Sequence, residues 1–376
     1  MNKPAAAGGK FHWLARLLAD DKTSPAAVPL FSILLTIIAA SLLLLILGKN
    51  PLVAMAAFLR GSGFMIKPSY AGGQNMFTDF LSFLGILSPM LLAALAVIVA
   101  LKAGMFNIGI AGQMLAAGFI ATVFVGYSPL PALIARPLVI LIAVVAGAVM
   151  GALVGFLKYR FNIHEVVSTI MFNYITSYVT GFYINTYFVD IISRSSKVCS
   201  AASRLTISGI TLGRLRPTIP LGIIIALAAV FIIRFLMEKT TLGFELKAVG
   251  LNRDAAKYAG IRQGRSIMLA MLISGALAGL AGVTYYLGYY NTIVPKALAS
   301  MGYDAIAVSL LGNLSPVAAI FASALVTIFQ KGSVYMSSIV GVPKEIASVI
   351  TGILLLFSAC GTYIRYRAHS HMERSL

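Results

Sequence analysis

The 376-residue chain is 59% hydrophobic and only 11% charged, against roughly 45–50% and about 25% in soluble domains. So few charges cannot coat a soluble surface of this size, which excludes a soluble enzyme or binding module. The formal charge of +18 does not point to nucleic acid. Its Lys and Arg residues lie in short connections between apolar blocks, as in loops that stay on the cytoplasmic side of a membrane.

In chain order, a polar tail (1–27) precedes an apolar run long enough to span a bilayer, since ~30 Å of hydrocarbon needs roughly 20 helical residues. That run reads as a first transmembrane segment, although Ala54-Met55-Ala56 resembles a leader cleavage site. Apolar blocks follow one another at 28–47, 80–101, 108–125, 137–157, 166–189, 219–237, 267–287, 303–311, 317–329 and 346–363. The fold class is therefore all-α, a polytopic transmembrane helical bundle of about ten segments. The block 303–311 is too short to cross alone and reads as a half-helix or re-entrant segment, extended by irregular backbone from 291 to 301. Irregular backbone at that depth is tolerated only where protein buries it or it lines an aqueous cavity.

Ten crossings place both termini on one side. Basic residues in the two tails and in the loop 238–266 make that side cytoplasmic, against the opposing basic loop 190–217. The expected division is a cytoplasmic tail 1–27, a transmembrane domain 28–364 and a cytoplasmic tail 365–376. Small residues at helical spacing, Gly147, Gly151 and Gly155 in one block and Gly275, Gly279 and Gly282 in another, read as packing seams between helices.

Charges deep in the spans are nearly absent: Asp79, Glu165 and Asp304 stand at block edges, and Arg234 is close enough to an end to snorkel. Proton- and sodium-coupled carriers keep such charges for coupling, so a stand-alone secondary carrier is the weaker reading. Neither Gly9-Lys10 nor Gly48-Lys49 has the context of a phosphate-binding loop. Cys199 and Cys360 have no metal-ligand spacing, and His369 and His371 sit in a polar tail. No catalytic residue, metal or cofactor is expected, and if the chain pumps, another subunit supplies the energy.

A cytoplasmic segment must then receive the stroke. Residues 254–259 read as a short helix with Asn252 or Asp254 as cap and Gly260 as stop. Ala255, Ala256 and Ala259 would form a flat apolar side beside Tyr258. The run Leu242-Gly-Phe-Glu-Leu-Lys-Ala-Val-Gly-Leu-Asn-Arg-Asp-Ala-Ala-Lys-Tyr-Ala-Gly-Ile261 resembles the coupling loop of bacterial ABC importer permeases of the branched-chain amino acid, ribose and nucleoside group. Gly243, Leu246, Ala248, Gly250, Asn252, Ala255, Ala256, Gly260 and Ile261 match that pattern. Lys247 replaces its Arg, keeping the charge without the forked donor geometry. Gly104-Met-Phe-Asn-Ile-Gly-Ile-Ala-Gly-Gln-Met114 is similar to the signature of the nucleoside branch, with Ala111 where that branch has Glu. Asn162-Ile-His-Glu-Val-Val-Ser-Thr-Ile-Met-Phe-Asn-Tyr174 resembles the same branch, and Gly302-Tyr-Asp-Ala-Ile-Ala is like a late segment of the whole family.

The resemblance runs from about 80 to 363. It implies a permease in a bacterial cytoplasmic membrane that imports nucleosides, or failing that simple sugars, by alternating access. The implied partners are a cytoplasmic ATP-binding subunit docked on 243–261, a second permease subunit (identical or related), an extracytoplasmic substrate-binding lipoprotein and membrane lipid. Among the matched residues, Asn107 and Gln113 carry amides able to read a base or ribose, or to satisfy a broken helix end. Asn173 and Tyr174 lie inside a span, where they either bond between helices or line the pathway. Glu165 reads as a helix-start carboxylate and Asp304 as a helix cap.

Overall fold

The computed structural model describes Leu17, Asp20 and residues 24–209, 211 and 213–375; the expected tail 1–27 falls almost wholly outside them. The helices are α1 (Ser24–Ile46), α2 (Pro51–Gly61), α3 (Met76–Lys102), α4 (Ile110–Ala121), α5 (Ala132–Phe161), α6 (Glu165–Tyr183) and α7 (Gly222–Lys239). They continue with α8 (Thr241–Leu251), α9 (Arg253–Tyr258), α10 (Gln263–Val283), α11 (Met301–Leu311), α12 (Ala318–Val340), α13 (Lys344–Ala359) and α14 (Gly361–Ser375). A two-residue antiparallel ladder, β1 (Thr206–Ile207) and β2 (Ile219–Pro220), pairs Thr206 with Pro220 between α6 and α7. The block that begins at Ile219 is thus extended at first and turns helical at Gly222.

Five stretches are long and apolar enough to cross a membrane: Ala27–Ile46, Met76–Lys102, Ala132–Phe161, Gln263–Tyr289 and Ala318–Val340. Pro51–Gly61, Ile110–Gly126 and Met301–Leu311 are shorter apolar helices. Two departures from the sequence reading follow from local chemistry. Helix α2 begins where Asn50 Oδ1 accepts the Leu52 N–H at 2.9 Å with Pro51 in the first turn, a start signal the apolar-block reading passed over. Helix α12 continues past Phe329 through Gln330 and Lys331, so the block edge at 329 marks charge and not the end of the helix.

Helix α3 is the axis of the molecule. It is apolar all round and buried without a break from Gly85 to Ala100, as befits a helix enclosed on every side. Outer helices instead show apolar stripes to their surroundings, such as Leu30, Leu34, Ile38 and Leu42 on α1 and Leu141, Val145, Val149 and Leu153 on α5. Their four-residue spacing puts each set on one face. The two small-residue seams meet each other. A Cβ on Gly151 would stand 3.0 Å from Gly275 Cα, and one on Gly147 would run into the Gly275 carbonyl oxygen. Helices α5 and α10 touch backbone to backbone along this line.

The bundle has two distinct ends. At one, α4, α6 and α10 finish in π-turns at Thr122–Gly126, Ile184–Phe188 and Thr284–Tyr289. One loop ties the three together: Lys197 N–H donates to Phe188 O at 2.8 Å, Ser200 N–H to Gly126 O at 2.8 Å, and Leu205 N–H to Leu287 O at 3.0 Å. At the other end lie α8, α9 and the turn between α3 and α4. Between the ends, irregular backbone from Tyr290 to Ser300 carries left-handed Asn291 (φ 61°) and Lys296 (φ 59°). It runs from the π-turn end past Gly181 to α11, whose Gly302 abuts the Ala111 backbone. The short segment is thus a half-length helix that starts inside the bundle, as the sequence anticipated.

Candidate functional site

At the α8–α9 end the chain folds into a braced hairpin. Thr240 Oγ1 accepts the Gly243 N–H at 3.1 Å and starts α8. Gly243 then lets α8 turn back against α7, since a Cβ there would meet Met237 Cα at 2.6 Å. Leu246 and Val249 point into the bundle, with Lys247, Ala248 and Gly250 half-buried. Gly250 rests on the α3–α4 turn, where Gly104 adopts φ +68°; their Cα atoms face each other and a Cβ on either would crowd the other.

Asn252 caps α9, its Oδ1 accepting the Ala255 N–H at 3.0 Å, and Gly260 (φ +80°) stops it. Arg253 Nη2 donates to Gly104 O at 3.2 Å, and Gln263 Nε2 donates to Arg253 O. The three alanines do not share a side. Ala256 is only 3% exposed and packs with Met105, Val249, Ile267 and Met271, while Ala255 and Ala259 face outward. Successive helical residues diverge by about 100°, so Ala256 turns away from Ala255, while Ala259, four residues on from Ala255 and just past the end of α9, stays with it. The outer apolar face is instead Leu251 (89% exposed), Ala255, Tyr258 (94% exposed) and Ala259.

The amides form a buried cluster. Asn107 Nδ2 donates to Gln113 Oε1 at 3.0 Å and to Ser274 Oγ at 2.9 Å, while its Oδ1 accepts the Gly109 N–H at 3.0 Å. Ser274 passes the chain on to Ala96 O at 2.7 Å, joining α10 to α3. Asn173 Oδ1 accepts the Gly112 N–H at 2.8 Å, and its Nδ2 donates to Ile108 O at 3.1 Å and to the Tyr303 hydroxyl at 3.3 Å. Asn107 and Gln113 are therefore closed on each other, and Asn173 bonds separately to the backbone at the start of α4 and to Tyr303, whereas Tyr174 lies on the outward face of α6. Glu165 opens α6 and pairs with Lys158 Nζ at 2.9 Å. His164 Nδ1 accepts the Val166 N–H at 3.3 Å as cap.

Toward the π-turn end lies a cavity of about 760 Å³ that block reading did not anticipate. Tyr285, Tyr289 and Tyr290 line it from the end of α10, with ring centroids 4.8 Å apart for Tyr285–Tyr290 and 4.9 Å for Tyr289–Tyr290. Ser300 and Asp304 come from the start of α11, and Gln330 and Lys331 from α12. Asp304 is not a cap: its Oδ2 accepts Gln330 Nε2 at 2.7 Å. Lys67 Nζ pairs with Asp79 Oδ2 at 2.6 Å and stands 4.8 Å from the Tyr335 ring centroid; Lys331 Nζ donates to the Asp79 carbonyl. The cavity thus offers flat aromatic faces beside acceptors and donors, which suits a small polar solute with an aromatic part. Two signals for it stood in the sequence. Tyr285 and Tyr289 share a helix face at the end of a span, and Gln330-Lys331 interrupts an apolar block.

The family described as branched-chain amino acid transport system / permease component matches residues 80–359. The chain belongs to this family. It is a multi-pass membrane permease by that membership and by its apolar helices. The permease is 35% identical to the nucleoside ABC transporter permease protein NupB of Lactococcus lactis subsp. cremoris, over 90% of this chain and 92% of that one. It is 37% identical to the guanosine ABC transporter permease protein NupP of Bacillus subtilis, over 92% and 96%. It is 29% identical to the glucose ABC transporter permease protein TsgB13 of Haloferax volcanii, over 76% and 77%. No solved structure matches the permease.

Proposed function

We propose that this chain is the membrane-spanning permease subunit of an ATP-driven nucleoside importer. It works beside a second permease subunit and receives its stroke from separate ATP-binding subunits. The observation that carries the mechanism is the bracing of α8 and α9 on the α3–α4 turn through Gly104 and Gly250. A push on the exposed Leu251–Tyr258 face would reach α3, the central helix, through these contacts. Closure of the ATPase pair would rock the bundle between two packed arrangements. The nucleoside cargo rests on the two relatives more than a third identical over nearly the whole chain, and on the tyrosine-lined cavity.

In this reading α8–α9 and both termini are cytoplasmic, the π-turn end faces outward, and α4, α6, α7, α11 and α13 complete about ten segments with the five longer spans. The amide cluster of Asn107, Gln113 and Asn173 holds the start of α4 beside the pathway. Gly243, Leu246, Lys247, Ala248, Gly250, Asn252, Ala255, Ala256 and Gly260 form or brace the coupling hairpin. A substrate-binding lipoprotein would deliver solute to the outer end.

The glucose relative supports a second cargo, a simple sugar in the same cavity. The test is ATPase activity of the purified complex across nucleosides and sugars. Stimulation by nucleosides above sugars is expected. Stimulation by sugars alone moves the cargo, and transport in vesicles without any ATP-binding subunit sinks the importer reading.

A further inference from the structure

Asp304 is a carboxylate inside the bundle whose recorded bond is to a neutral partner, Gln330. Among the described residues no cation lies within ion-pairing distance of it. Lys331 follows Gln330 in sequence, but successive helical residues diverge by about 100°, and its ammonium goes to the Asp79 carbonyl. Lys67 is spent on the Asp79 carboxylate. Asp304 is partly buried in the cavity wall, where an ionisable group without a counter-ion is expensive, and in membrane bundles such groups mark solute pathways. What would complete Asp304 is a pair of hydrogen-bond donors on a neutral solute, because an ionised carboxylate only accepts.

Ser300 stands four residues before Asp304 and lines the same cavity, so the two share a face. With Gln330 Nε2 committed to Asp304, Gln330 Oε1 is left as a further acceptor beside the carboxylate. Among base edges only guanine offers a carboxylate two adjacent donors, N1–H and the N2 amino group, and the other bases do not repeat that pattern. The vicinal 2′- and 3′-hydroxyls of ribose present the same two donors in every ribonucleoside, and a carboxylate is a known fit for ribose hydroxyls at dinucleotide sites. The tyrosines, in turn, can stack any base, since every base has a π-face.

We infer that Asp304, held in place by Gln330, binds the 2′,3′-diol of a ribonucleoside, while Tyr285, Tyr289 and Tyr290 take its base. The permease itself, and not only the protein that delivers solute to it, then selects ribonucleosides over their deoxy analogues. This rests on the nucleoside reading above.

The experiment compares uptake of radiolabelled guanosine and uridine with uptake of 2′,3′-dideoxyguanosine and 2′,3′-dideoxyuridine. It uses cells carrying the complete transporter, either wild type or with Asp304→Asn. The wild type should prefer the ribonucleosides by about tenfold or more, as expected of a site built to bond a hydroxyl. Asp304→Asn should cut ribonucleoside uptake and shrink that ratio by about tenfold. Gln330→Ala, which keeps the carboxylate, should shrink it less and covers the case in which Asp304→Asn fails to insert. A variant ratio equal to wild type, or a wild type that takes up both kinds equally, overturns the inference and leaves the nucleoside reading standing. A wild type that takes up sugar but no nucleoside of either kind overturns both.

Discussion

Gly250 of α8 lies directly on the Gly104 turn between α3 and α4, so that a Cβ on Gly250 would come within 2.9 Å of the Gly104 amide nitrogen. Nearly 150 residues of chain separate the two, yet a side chain on Gly250 would prise α8 from the central helix, and one on Gly104 would be strained by its φ of +68° and press on the Gly250 backbone. Gly250→Ala is therefore expected to lower thermal stability by about 1–3 kcal/mol, as overpacking does. It should also weaken solute-stimulated ATPase more than basal ATPase in the assembled complex. Wild-type stimulation in this variant would show that force does not travel through the contact.

The two faces of α9 should behave differently. Tyr258→Asp alters an exposed side chain and is expected to leave folding intact while reducing co-purification of the ATP-binding subunit. Ala256→Arg puts a charge into the inner cluster and is expected to lower stability by about 2–4 kcal/mol. Co-purification by Tyr258→Asp at wild-type stoichiometry would remove that face from the interface.

Replacing Asn107 with Leu strands Gln113 and the Gly109 N–H in a buried site. The expected loss is roughly 2 kcal/mol or more, since unsatisfied buried groups cost about 1–3 kcal/mol each. The solute concentration for half-maximal uptake should stay the same, because Asn107 is 1% exposed and its recorded bonds are internal. A raised half-saturation with unchanged stability would instead put this amide in contact with solute.

The Lys67–Asp79 pair is mostly enclosed, with each side chain 14% exposed. A double-mutant cycle with Lys67→Ala and Asp79→Ala should return a coupling of about 1–3 kcal/mol. The Lys331 contact survives both changes, because it uses the Asp79 backbone carbonyl. A coupling near zero would mean the pair is solvated in the membrane-bound protein.

Cys199 is buried beside Thr122 and Gly126, and burial pushes its thiol above the usual cysteine range. A raised pKa means less thiolate at any given pH, so a maleimide should leave Cys199 unmodified at neutral pH and react only slowly at mildly alkaline pH. Unfolding in detergent should release full reactivity. Cys360 is exposed, so the reading is made in a Cys360→Ser background, where fast labelling at neutral pH would place the loop 190–217 away from the bundle.

Much of this molecule is legible in the sequence. Blocks of apolar residues marked the long helices because a bilayer imposes length and composition on each span separately. The small-residue seams were visible as spacing, and the short helix α9 as a cap, a stop and a short run between them. The half-helix α11 stood out because its block was too short. What misled was charge taken as a boundary. Gln330 and Lys331 ended a block on paper, but α12 carries them onward, because the cavity gives them polar neighbours to bond.

The membrane class, the order of the apolar segments and the position of the α8–α9 hairpin are properties of short stretches of chain, and the residues alone determined them. The tertiary structure decided which residues meet. It turned Ala256 inward and Tyr258 outward, closed Asn107 upon Gln113 and Ser274, and brought Asp304, Gln330, Lys331 and Asp79 to one cavity. Those encounters join residues up to 252 positions apart. No local pattern encodes them, because they arise only when whole helices pack and each buried polar group must find its partner within the bundle.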